Sequence, residues 1–214
     1  MSKYKVNDLK EPEFVLMDKL KHNDLFPFIK KAHQKRNLVF YFFNSINLLF
    51  GIVLLTLMLK EVVKGDFRFS EEFTYFSYGL ISTFALIPIH EYIHAIAYKF
   101  VGATNTSYDM NLRKFYFMAM ADKFVADSKE FRIVILAPFV SISIICLILC
   151  VSISGIWKFY PIGLFFTHTL FCSGDFGLLS YLESNKSKEI YTYDDKANGE
   201  SYFFERIKNN ERTT

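Results

Sequence analysis

Four stretches of this chain run for sixteen residues or more with almost no charge, and that constrains its fold more than any other feature. Residues 38–59 are 22 uncharged positions, 73–89 are 17, and 133–157 are 25. Residues 159–174 are apolar apart from His168, and the pattern continues past Asp175 to about residue 182. A helix of about 20 apolar residues crosses the hydrocarbon of a bilayer. Within lipid a helix also satisfies its own backbone polar groups. The expected fold is therefore an all-α integral membrane protein with four transmembrane helices and a cytoplasmic loop or β-hairpin between the second and third. The helical domain spans residues 38–182, flanked by a basic N-terminal segment (1–37) and a polar tail (183–214). Pro161 suits the first turn of the last span, where its missing N–H has no helical partner to lose.

Orientation follows from Lys and Arg. Alternate segments carry 21 of them on one side and 4 on the other. The positive-inside rule then puts both termini and the loop 99–132 in the cytoplasm. No signal-peptide pattern precedes the first span. The N-terminal segment, with apolar clusters at 14–17 and 25–29, reads as a solvated lead-in or an interfacial helix; the tail is weakly patterned. An aromatic content of 18% excludes a disordered chain. Three Cys, all within apolar runs, exclude a disulfide scaffold. A net charge of +3 with scattered basic residues argues against a nucleic-acid partner.

The second span holds His90-Glu91-Tyr92-Ile93-His94, the pattern H-E-x-x-H. On a helix, residues four apart differ by about 40° in direction and about 6 Å in height, so both imidazoles can meet one metal ion. Glu91, about 100° round, can take a proton from a water at that ion. Zinc suits two neutral imidazoles and a carboxylate with one position open. Ionisable groups inside a membrane are costly and normally serve a partner or an ion.

Asp175, in Cys172-Ser173-Gly174-Asp175-Phe176-Gly177, is the candidate third ligand. Counted along ideal helices from Phe73 and Phe159, His90, His94 and Asp175 lie about 26, 32 and 24 Å deep, all in the cytoplasmic third of the bilayer. The other reading of Asp175 is a helix end at the interface. His168 is about 10.5 Å above Asp175 on an ideal helix, too shallow to share the ion without a break between them. It is expected either to line a cavity, hydrogen-bonding substrate or stabilising an oxyanion, or to be satisfied by a neighbouring helix.

This arrangement (His90–His94, a cytoplasmic loop, a third span containing Leu136-Ala137-Pro138-Phe139, then Ser173-Gly174-Asp175) resembles the putative zincin peptidase family of small bacterial membrane proteins. That family is similar in layout to the site-2 proteases. The resemblance covers residues 73–182. It implies zinc held by His90, His94 and Asp175, Glu91 as general base, a bacterial cytoplasmic membrane, and a membrane-associated peptide or protein as substrate. Site-2 proteases usually carry Asp-Gly where this chain has Asp175-Phe176-Gly177.

In the loop, Phe115, Phe117 and Ala119 alternate with Tyr116, Met118 and Met120, with a turn expected at 111–114. Such an edge strand could pair with an unwound substrate, or simply hug the membrane. Asn44, Ser45 and Asn47 read as helix–helix hydrogen-bond partners, Cys146 and Cys150 as packing residues, and His22 and His33 as surface residues. Two functions remain: an intramembrane zinc metallopeptidase, or a non-catalytic metal-binding membrane protein acting as sensor, structural centre or immunity-type partner. Glu91 separates them, because only hydrolysis needs it.

Overall fold

The structure, a computed structural model, describes residues 4–65, 69–111 and 116–207. A 3-10 turn at Asp8–Lys10 precedes β1 (Phe14–Lys21) and a short α1 (Leu25–His33). Three long helices follow: α2 (Leu38–Lys64), α3 (Phe69–Phe100) and α4 (Ser128–Ser152). Between α3 and α4 lie β2 (Ser107–Asn111), β3 (Tyr116–Met120) and the two-residue β4 (Ala126–Asp127). A 3-10 turn at Gly155–Lys158 leads into α5 (Phe159–Phe171), α6 (Ser173–Ser184), β5 (Ile190–Asp195) and β6 (Glu200–Arg206).

Among the described residues three helices are long and apolar enough to cross a membrane, and α5–α6, bent by 45° at Cys172, make a fourth span if they act as one. The side chains of α2 show why a bilayer is the fitting solvent: Leu48, Leu49, Ile52, Leu55 and Leu59 are all exposed. Helix ends follow local chemistry. Asn37 caps α2 by accepting from the Phe40 amide at 3.1 Å, and Gly65 closes it with φ +75°. Asp127 and Glu130 form a capping box on α4, with Asp127 accepting from the amides of Lys129 (2.7 Å) and Glu130 (2.9 Å) and Glu130 accepting from the Asp127 amide (2.9 Å).

The all-α expectation is corrected. The two segments flanking the helical domain pair with each other: β1, β6, β5 and β4 form a four-stranded sheet in that order, antiparallel throughout. Phe14 lies opposite Arg206 and Lys21 opposite Glu200, with a bulge between Leu16 and Asp18. The hairpin joining β5 to β6 turns through Gly199 at φ +63°, next to Asn198. An Asn-Gly pair between Tyr/Thr- and Tyr/Phe-rich runs is a hairpin signature. Leu20, Ile190 and Phe203 of the sheet pack with Ala97 and Tyr98 of α3, Phe131 and Val134 of α4, and Leu179 and Leu182 of α6 in one core. The sheet therefore caps the ends of α3, α4 and α6.

α3 and α5 pack backbone to backbone at two glycines. A Cβ on Gly79 would overlap the Tyr160 carbonyl and lie 2.6 Å from the Leu164 amide nitrogen, and one on Gly163 would overlap the Phe76 carbonyl. Gly177 of α6 likewise admits Ile29 of α1. Asn37 ties the start of α2 to α6, donating to the Ser180 carbonyl (2.7 Å) and Ser184 Oγ (2.8 Å).

Polar residues differ from expectation in three places. Asn44 and Asn47 donate to carbonyls of their own helix, Phe40 and Phe43, rather than across helices. His33 lies with Nε2 3.3 Å from the Ser173 carbonyl. His22 is buried, with Nδ1 3.1 Å from Asp109 of β2 and Nε2 3.3 Å from Ser201 of β6. Ser201 donates to Asp194 at 2.6 Å, and Tyr98 of α3 donates to the same carboxylate at 3.3 Å. Burial pushes the Asp194 carboxyl up from its usual range. This network joins the sheet, the antiparallel pair of β2 and β3, and α3; of the turn expected at 111–114, residues 112–114 lie outside the described residues.

Candidate metal centre

His90, Glu91 and His94 sit on the second half of α3, with the two histidines one turn apart. Asp175 lies in the first turn of α6, just beyond the bend at Cys172. That bend brings the carboxylate across to α3. His90 Nε2 and His94 Nε2 are 3.1 Å apart. Asp175 Oδ2 is 3.2 Å from His90 Nε2, and Oδ1 is 3.3 Å from His94 Nε2. Ligands at about 2.0–2.1 Å around a tetrahedral zinc lie about 3.3–3.4 Å from one another, so this spacing matches the edges of such a tetrahedron.

The hydrogen bonds on the far side of each ring support the same reading. His94 Nδ1 is 2.8 Å from the Val134 carbonyl of α4, which can only accept. The proton of a neutral His94 is therefore on Nδ1, and Nε2 presents a lone pair. His90 Nδ1 is 3.2 Å from His168 Nε2 of α5; donation from His90 leaves its Nε2 bare as well. Asp175 Oδ2 is buried and close to His90 Nε2, yet it makes no hydrogen bond. In those tautomers two bare nitrogens and a carboxylate converge on one point, a donor set able to hold a divalent metal ion. Metal-ligating histidines normally donate their second N–H in this way.

Glu91 is buried beside this centre, and its Oε2 accepts from the Ala119 amide of β3 at 2.7 Å. Since that amide is spent on Glu91, it points away from β2. Neighbouring residues of a strand alternate direction, so Phe117 presents its N–H and C=O along the same outer edge.

His168 stays outside the His90–His94–Asp175 group and is met by a neighbouring helix, as one of its two readings expected, although its ring comes closer to His90 than ideal-helix counting placed it. The ring is buried, at the level of His90, and faces its Nδ1. Cys172 Sγ lies 3.7 Å from His168 Nε2, so His90, His168 and Cys172 gather as a second group of metal-binding residue types. His90 can join it only through Nδ1, the atom that faces His168. The Ala119 amide and the Val134 carbonyl are the functional groups that sequence reading missed. Both are backbone atoms and carry no residue-type signal, although Pro138 offered an indirect one.

Residues 83–190 match the family described as putative zincin peptidase. That match covers half of the chain. The chain belongs to this family. Zincins take their name from the zinc they bind, and the His90–His94–Asp175 set fits that ion by donor type and spacing. No curated protein and no solved structure was found to match the chain.

Proposed function

We propose that this member of the family is an intramembrane zinc metallopeptidase, hydrolysing peptide bonds of membrane-associated proteins. The observation that carries the proposal is the convergence of two bare imidazole nitrogens and a buried carboxylate beside an anchored glutamate. In this reading the bent α5–α6 pair is the fourth span, and both termini lie in the cytoplasm with the sheet. The layout would then be that of the site-2 proteases.

A zinc ion bound there supplies Lewis acidity, polarising a carbonyl and making water ionisable near neutral pH. His90, His94 and Asp175 hold it. The Ala119 amide fixes Oε2 of Glu91, leaving Oε1 to take a proton from the attacking water and return it to the leaving amine. His168 acts through His90, holding its Nδ1 and thereby its orientation. A substrate helix must unwind before hydrolysis, because its amides are shielded by their own hydrogen bonds. The outer edge of β3 is a ready partner for the unwound strand, and its Ala119 position already touches Glu91.

Glu91→Gln is the test. It keeps the size of the side chain and removes the base. Purified Glu91→Gln should retain zinc and lose cleavage of a single-span reporter substrate in detergent or liposomes. Undiminished cleavage by Glu91→Gln would refute the mechanism. If wild type binds zinc but cuts none of a panel of membrane segments, the non-catalytic metal-binding reading replaces it.

A further inference from the structure

In an α-helix the carbonyl of residue i accepts from the N–H of residue i+4. For Val134 of α4 that residue is Pro138, which has no N–H to give. The helix nevertheless runs unbroken from Ser128 to Ser152, and Val134 is buried. Its carbonyl therefore loses the regular i+4 partner of its own helix, and leaving such a group unpaired costs about 1–3 kcal/mol. His94 Nδ1 of α3 meets that carbonyl at 2.8 Å. A leucine or alanine at 138 would bring an amide to the same oxygen and compete with the imidazole.

We propose that Pro138 is a positioning residue for the metal centre. By withholding its amide, it reserves the Val134 carbonyl for His94, which sets the Nδ1–H tautomer and turns Nε2 toward His90 and Asp175. The inference rests on the metal-centre reading above, and extends it to a residue that touches neither metal nor substrate. It also gives a reason for a proline in mid-helix, where the residue normally costs about 3 kcal/mol.

Two measurements test it. In zinc-free wild-type protein, nitrogen-15 NMR of labelled histidine should report His94 as the Nδ1–H tautomer; the Nε2–H tautomer would overturn the proposal without any mutation. In full-length Pro138→Ala, thermal stability in detergent should hold or rise, as expected when an interior proline leaves a helix. Its zinc affinity, measured by chelator competition, should fall about 10–100-fold, the usual loss when a ligand's outer partner is removed. Its cobalt-substituted spectrum should change as well. A purely structural proline predicts altered stability with unchanged zinc affinity and tautomer, and that result would also overturn the proposal. If wild type binds no zinc at all, the metal-centre reading fails, whereas the tautomer comparison between wild type and Pro138→Ala still reports whether residue 138 governs His94.

Discussion

A methyl group at Gly79 should be enough to damage the metal centre from more than a helical turn away. The added Cβ would stand 2.6 Å from the Leu164 nitrogen and overlap the Tyr160 carbonyl, both backbone atoms that cannot rotate aside. Restoring ordinary contact, which begins at 3.4 Å, requires α5 to withdraw from α3 by at least about 0.8 Å near Leu164. His168 is one turn further along α5. Carried with the helix, its Nε2 would move from 3.2 Å to about 4 Å from His90 Nδ1, beyond hydrogen bonding. Overpacking of this kind costs about 1–3 kcal/mol, and loss of a ligand's outer partner weakens metal binding about 10–100-fold. Gly51→Ala on α2 is the control, because nothing lies within 4 Å of its added carbon. Unfolding in mixed micelles and zinc competition should both separate Gly79→Ala from Gly51→Ala. Equal stability and equal zinc affinity in the two variants would refute the close-packing argument.

Two further predictions concern the sheet. His22→Ala removes the link between Asp109 of the β2–β3 pair and Ser201 of β6, at about 0.5–1.5 kcal/mol for each hydrogen bond lost; hydrogen exchange should quicken in both β-units, and unchanged protection in β2 and β3 would contradict the link. The Asp195 carboxyl is held below its usual range by Lys123, and that of Glu200 by Lys19. A depressed folded-state pKa contributes stability above the unfolded value and loses it as pH falls, so the sheet should be steady at neutral pH and loosen below about pH 4. Asp194, raised by burial, works in the opposite direction. Asp195→Asn should flatten the acid limb, and an identical acid limb in that variant would count against the assignment.

What the sequence made legible followed from chemistry that one segment carries alone. The uncharged runs marked α2, α3 and α4 because burying charge in lipid is costly, and H-E-x-x-H marked one helix face because helical periodicity is local. Asp175 stood out as a carboxylate within an apolar stretch. What stayed hidden depended on distant partners. β1 and β6 lie at opposite ends of the chain, and neither half of their pairing is visible without the other. The approach of His168 to His90 stayed hidden because it depends on how closely α5 packs on α3 at Gly79 and Gly163, which counting residues along one helix does not reveal. The link from Pro138 to His94 crosses two helices through a carbonyl, which no residue letter encodes.

The most direct test is zinc content measured by elemental analysis on protein purified without added metal. Wild type should carry about one zinc per chain, and His94→Ala and Asp175→Ala should each lose most of it while keeping helical content. A full complement of zinc in Asp175→Ala would contradict the three-ligand centre on which the peptidase mechanism depends.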